Sequence, residues 1–120
     1  MKGDHIKYRK GYKYQLADGY TLHIGILPPE MISTDWIILT PIGWLTIHKG
    51  YAWDGASGPT LDDNTNMRAS LIHDALYQLM RLGLLPDSWR ERADELLREI
   101  ALEDGGWGIR YKIWERAVNW

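Results

Sequence analysis

The side chains best suited to chemistry lie in a glycine-rich stretch and in the helical segment that follows it. The stretch contributes Asp54, Gly55, Ser57, Gly58 and Pro59. The segment contributes His73, Asp74 and Tyr77. When a carboxylate accepts one imidazole N–H, the other ring nitrogen stays free to take a proton from water. These residue types therefore indicate a general base for hydrolysis.

The spacing of these residues predicts how they come together. At 100° per residue, His73, Asp74 and Tyr77 lie along the margin of the apolar face of one helix. Asp94 lies at the edge of the apolar stripe of the next helix. If the two helices pack antiparallel across residues 83–87, Asp94 comes beside His73 or Tyr77. We therefore take His73, Asp94 and Tyr77 as the candidate catalytic residues.

The same region offers oxygen atoms for a hard cation. Asp74 follows His73 directly, and Asp54 opens the glycine-rich stretch, whose backbone carbonyls are further oxygen donors. Calcium prefers carboxylate and carbonyl oxygens. The sequence therefore predicts Asp74 and Asp54 as metal ligands and calcium as the cofactor.

Two other chemical interpretations use some of these residues. A Ser57–His73–Asp94 triad is conceivable, but Ser57 lacks the last glycine of the G-x-S-x-G nucleophile elbow. A transition-metal site would need a second helical histidine, and His48 lies in a predicted strand.

A purely structural interpretation also stays open. Asp54, Ser57 and Pro59 are typical of a tight turn, in which short polar side chains bond to the backbone. A histidine at a helix edge, such as His73, is often a partly buried packing residue.

The composition excludes several classes of protein. The chain has 120 residues, a net charge of −2, seven Trp, seven Tyr, no Phe and no Cys. Without cysteine there are no disulfides, cysteine-ligated metals or thiol nucleophiles. Without a basic cluster we expect no nucleic-acid partner, and without a long apolar run we expect no transmembrane segment.

Alternating apolar residues predict four strands in the first half. Strands 12–17 and 20–26 flank Asp18 and Gly19, a pair typical of a hairpin turn. Strands 34–40 and 44–48 flank a second turn at 41–43. The tryptophans of this half, Trp36, Trp44 and Trp53, are expected mostly to pack in the core.

The second half predicts helices. A long loop at 51–64 precedes a helix from about 65 to 82, which Gly83 ends. A capping box at Ser88 and Glu91 opens a second helix to about 102, and a short third helix spans 109–118. The expected fold is α+β in a single domain, 1–120: strands in 1–50, a functional loop in 51–64 and helices in 65–120.

Three blocks of sequence resemble a family of small phage and prophage proteins called domain of unknown function 1353. They are GYAWDGASGP, SLIHDALY and ERADELLREIALEDGG, and YKIWERAV is similar to the closing segment of the family. The resemblance implies a phage setting: production in the host cytoplasm, association with the virion or tail, and other phage structural proteins or a host envelope component as partners.

A more distant resemblance concerns mechanism. His73-Asp74-x-x-Tyr77, with a glycine-rich stretch before it and Asp94 after it, is similar to the site pattern of phospholipases A2. That resemblance implies His73 as base, Asp74 as calcium ligand, Asp94 as orienting carboxylate and Tyr77 as supporting donor. The chain lacks the cysteines that flank the phospholipase helix.

Two functions are therefore expected. The first is a calcium-assisted hydrolase of an envelope ester or amide. The second is a non-catalytic virion or tail-associated structural protein.

Overall fold

A computed structural model describes residues 6–9, 14–53 and 67–105. Most of the predicted functional loop and the predicted helix at 109–118 lie outside these residues. So do five predicted site residues, namely Asp54, Gly55, Ser57, Gly58 and Pro59.

The described residues form an α+β fold with two antiparallel sheets followed by two helices, which confirms the predicted class. The strands are β1 (Tyr8–Arg9), β2 (Tyr14–Leu16), β3 (Tyr20–His23), β4 (Ile32–Ser33), β5 (Ile37–Leu39), β6 (Trp44–Ile47) and β7 (Ala52–Trp53). The smaller sheet has the order β1-β2-β7, and the larger has the order β3-β6-β5-β4.

The larger sheet contains the second predicted hairpin. β5 and β6 pair antiparallel, with Ile37 opposite Ile47 and Leu39 opposite Leu45. The turn between them requires Gly43, whose φ is +92°. A Cβ at this position would lie 2.5 Å from the carbonyl oxygen of Ile24, so only glycine fits.

The first predicted hairpin is wrong. The strands on either side of Asp18 and Gly19 do not pair with each other: β2 lies in the smaller sheet and β3 in the larger. β2 pairs instead with β7, the amide of Leu16 donating to the carbonyl of Tyr51 at 2.8 Å. The start of the predicted 51–64 loop is therefore strand, because residues 52–53 complete the smaller sheet.

The two helices form the predicted antiparallel pair. α1 is Met67–Arg81, α2 is Arg90–Glu103, and a 3₁₀ turn at Asp87–Trp89 precedes α2. Gly83, with φ +76°, ends α1 as predicted. The predicted capping box is wrong. Trp89 occupies the N-cap of α2 and makes no side-chain hydrogen bond there, because the 3₁₀ turn at Asp87–Trp89, which contains Ser88, runs directly into α2. Neither helix is long and apolar enough to cross a membrane.

The core lies between the sheets and the helix pair. Ile37, Leu39, Leu45 and Ile47 are fully buried on one face of the larger sheet. Leu71, Ile72, Leu76 and Leu79 of α1 and Leu96, Leu97 and Ile100 of α2 are also buried. At about 0.8 kcal/mol per buried CH₂, this packing is the main force that holds the two helices together.

The tryptophans divide between core and surface. Trp53 is buried, and its Nε1 donates to Oγ of Ser70 at 2.9 Å. Trp44 is 45% exposed on the outer face of β6, and Trp36, which directly precedes β5, is 44% exposed. The expectation that most of the three tryptophans pack in the core is therefore wrong, since the two-residue period identifies a face without telling which side is covered.

A buried arginine ties both helices to the larger sheet. Arg68 of α1 is 2% exposed and donates to Oδ1 and Oδ2 of Asp104 at 2.9 and 3.0 Å. It also donates to Glu103 at 3.0 Å and to the hydroxyl of Tyr20 at 2.9 Å. These contacts fix the start of α1 against the end of α2, so the helix pair has one register.

Candidate functional site

The helix pair brings His73 and Asp94 together. Nε2 of His73 lies 2.7 Å from Oδ1 of Asp94, a hydrogen bond that joins α1 to α2. The two side chains are 12% and 10% exposed. The pair therefore lies at the edge of the helix interface, mostly shielded from water but not closed off.

Tyr77 completes the cluster. Its hydroxyl donates to the same Oδ1 of Asp94 at 2.7 Å. Its ring lies against the ring of His73, with 4.2 Å between centroids and a tilt of 34°. Because His73 and Tyr77 are four residues apart on α1, one carboxylate oxygen on α2 serves both.

Burial sets the protonation of the imidazole. Burial lowers the pKa of His73 below its ordinary value, although the hydrogen bond to Asp94 acts in the opposite direction. At neutral pH the ring is therefore uncharged and carries one proton. That proton lies on Nε2, which donates a hydrogen bond to Asp94, so Nδ1 is the basic nitrogen.

Tyr77 is held as a hydrogen-bond donor. Burial and the hydrogen bond to Asp94 raise the pKa of Tyr77 above its ordinary value. The phenol therefore keeps its proton at neutral pH and directs it at Asp94. Two donors on one oxygen compensate for burying the carboxylate of Asp94, whose side chain is only 10% exposed.

The other predicted site residues are placed only in part. Asp74 is half-buried on α1, next to His73, and has a polar interaction of its own. Among the described residues, no three His, Asp or Glu side chains gather closely enough to hold a metal ion. The second predicted ligand, Asp54, lies outside the described residues, so the structure does not test a calcium site that uses Asp74 and Asp54.

The alternative chemical interpretations gain no support. Ser57 lies outside the described residues, so the structure does not place the nucleophile of a triad. His48 directly follows β6 in the larger sheet, and no metal-ligating group that includes it occurs in the described part of the chain.

Two arginines near the cluster were not anticipated. Nε of Arg90 donates to the hydroxyl of Tyr77 at 3.3 Å, and Cζ lies 5.7 Å from the centroid of the Tyr77 ring. Nη1 of Arg98 is buried and has no hydrogen-bond partner among the described residues. Both arginines lie four residues from Asp94, one helical turn away on the same face, and this spacing was the signal available in the sequence.

Comparison of the chain with family models, curated proteins and solved structures found no match. The resemblances described from the sequence motifs therefore remain predictions.

Proposed function

We propose that this protein is a hydrolase of esters or amides in which His73 is the general base and Asp94 orients it. The observation that carries the proposal is the single oxygen, Oδ1 of Asp94, at 2.7 Å from both Nε2 of His73 and the hydroxyl of Tyr77. This arrangement fixes the tautomer of the ring and leaves one nitrogen available to a water molecule.

The proposed reaction uses that geometry. Nδ1 of His73 takes a proton from water while the water oxygen attacks the carbonyl carbon of the substrate. The tetrahedral intermediate then collapses, the bond to the leaving group breaks, and the proton on Nδ1 passes to the leaving oxygen or nitrogen. The carboxylate of Asp94 stabilises the imidazolium that forms between these two steps.

Calcium is part of the proposal. Asp74 and Asp54 are the residues that would hold it, together with carbonyl oxygens of the glycine-rich stretch that contains Gly55, Ser57, Gly58 and Pro59. When bound, calcium would polarise the carbonyl of the substrate and stabilise negative charge on its oxygen.

The setting of the reaction rests on the sequence resemblance. We propose a phage protein made in the host cytoplasm that associates with the virion or tail. Its substrate would be an ester or amide of the host envelope, and its partners would be other phage structural proteins.

A direct test measures carboxylate release from vesicles of a diacyl glycerophospholipid, with calcium and with a chelator. The wild type should hydrolyse the lipid only with calcium, and His73→Asn should lose turnover while its thermal unfolding remains cooperative. His48→Asn, a matched change outside the cluster, should retain activity. Equal rates in the wild type and His73→Asn would rule out His73 as the base.

A second candidate is a non-catalytic virion or tail-associated protein. The burial of Asp94 in the helix interface favours it, since a shared carboxylate can serve packing alone. Under this hypothesis His73→Ala lowers the unfolding temperature and no ester is hydrolysed. Under the hydrolase hypothesis His73→Ala leaves the fold largely intact and abolishes turnover.

A further inference from the structure

A cavity of about 290 Å³ opens beside the His73–Asp94–Tyr77 cluster. Its lining consists of Tyr77, Met80, Arg81, Asp87 and Arg90. Binding sites for drug-sized molecules usually begin near 300 Å³, so this volume suits a headgroup or another small molecule rather than a long chain.

The charges of the lining favour an anion. Arg81 and Arg90 are exposed, and neither forms a salt bridge with a described carboxylate. Among the described residues Asp87 is the one acidic member of the lining, and the carboxylate of Asp94 also acts on Arg90. The two guanidinium groups are nevertheless exposed and accessible to an anionic ligand.

Two contacts with Tyr77 hold the side chain of Arg90 in place. Its Nε donates to the hydroxyl of Tyr77 at 3.3 Å, and its guanidinium lies against the Tyr77 ring. Among the described residues no acceptor binds its terminal Nη groups, which can therefore serve a ligand. A guanidinium fixed at Nε can offer paired N–H groups to the oxygens of a phosphate or a carboxylate.

The remaining lining is apolar. The thioether of Met80 and the ring of Tyr77 complete the described lining and offer a surface for carbon atoms. We infer that this cavity binds a small amphiphilic oxyanion, a phosphate or carboxylate on a short alkyl group, through Arg81 and Arg90. This inference goes beyond the proposed function and holds whether or not His73 is catalytic.

The test is a titration followed by NMR of the methionine methyl groups. The chain has four methionines, and Met80→Leu identifies the Met80 signal. The probes are inorganic phosphate, butyl phosphate, butyrate and, as the uncharged control, butanol. Butyl phosphate or butyrate should shift the Met80 signal and leave that of buried Met67 in place, whereas butanol should shift neither.

The variants locate the anion. Arg81→Gln should weaken binding by about tenfold, the usual effect of losing one charged hydrogen bond. Asp87→Asn should tighten binding several-fold, because it removes the competing carboxylate. Lys49→Gln, which removes an exposed positive charge in the turn after β6, should leave binding unchanged.

The outcomes show which kind of anion binds and whether the cavity binds an anion at all. Stronger binding of butyl phosphate indicates a phosphate ester, stronger binding of butyrate indicates a carboxylate, and either result supports the site. The proposed site would be overturned if Arg81→Gln and Lys49→Gln weakened anion binding equally. It would also be overturned if the anions shifted other methionine signals but not that of Met80. Binding without lipid hydrolysis would remove the hydrolase and retain the site, whereas hydrolysis without binding would do the reverse.

Discussion

Oδ1 of Asp94 accepts hydrogen bonds from two side chains of the other helix, each at 2.7 Å. Two hydrogen-bond donors offset the cost of removing this carboxylate from water, whereas one donor offsets only part of that cost. The chemistry of His73 and the packing of the helix pair therefore depend on the same atom.

Tyr77→Phe tests this shared oxygen. It should lower the free energy of unfolding by about 1–2 kcal/mol, because Asp94 loses one donor while the ring packing remains. It should also lower turnover, since Asp94 is less firmly held. Urea unfolding and the lipid assay check the two effects.

Tyr51→Phe is the matched control. The hydroxyl of Tyr51 donates to Oε1 of Gln78 at 2.8 Å and makes no hydrogen bond to Asp94 in the described structure. This variant should cost similar stability and leave turnover unchanged. Loss of turnover in both variants would mean that the effect comes from stability alone.

The depressed pKa of His73 makes stability depend on pH. Burial, together with the positive charge of Arg90, holds the folded-state pKa of His73 below about 6.5, the value expected in the unfolded chain, although Asp94 acts in the opposite direction. As pH falls below 6.5, the unfolded chain takes up a proton that the folded chain does not. The free energy of unfolding should therefore fall by up to about 1.4 kcal/mol per pH unit until the folded pKa is reached.

Urea unfolding of the wild type and His73→Asn at several pH values measures this contribution. The difference between the two slopes should be positive between the folded pKa and 6.5 and should vanish above 6.5. A slope that is the same in both proteins would show that His73 does not titrate as described.

At the scale of elements, Arg68 fixes the register of α1 and α2. It is 2% exposed, whereas its partners Glu103 and Asp104 are 27% and 17% exposed. Arg68→Met keeps the apolar stem and removes the four hydrogen bonds. We expect a loss of about 2–4 kcal/mol, near the lower end for a broken buried ion pair because the carboxylates reach water.

Arg92→Met provides the comparison, because Arg92 pairs with Glu99 at 2.9 Å on the surface of α2. It should cost less than about 1 kcal/mol. Similar losses in the two variants would mean that Arg68 is no more important than a surface ion pair.

Arg98 presents the opposite case on α2. In the described part of the chain its buried Nη1 has no hydrogen-bond partner, so its burial is not compensated by any described residue. Arg98→Met should therefore raise the free energy of unfolding by about 1 kcal/mol. Thermal and urea unfolding check this, and a loss of stability would show that Nη1 has a partner in solution.

In the molecule as a whole, local patterns predicted the helices and the hairpin of β5 and β6, but not the division of the strands into two sheets. The 3.6-residue period located α1 and α2 to within about two residues of their described ends. Antiparallel packing of these helices then placed Asp94 near His73 without further information. The cluster could be predicted because all its members lie on two adjacent helices.

The division into two sheets could not be predicted in this way. Asp18 and Gly19 favour a hairpin locally, but β2 pairs with β7, where Gln15 lies opposite Ala52. Such pairing depends on which strands the core brings together, and a turn dipeptide carries no information about that. Arg90 was missed for a related reason, since its contact with Tyr77 depends on the exact angle between the helices.

The most direct measurement is the tautomer of His73, observed by ¹⁵N NMR of its ring nitrogens at neutral pH. We expect a neutral ring with its proton on Nε2 and none on Nδ1. In Asp94→Asn the amide can donate to Nε2, so the proton should move to Nδ1 and turnover should fall by about 10³–10⁴-fold. A wild-type ring protonated at Nδ1 would contradict the proposed role of His73, because Nδ1 could not then take a proton from water.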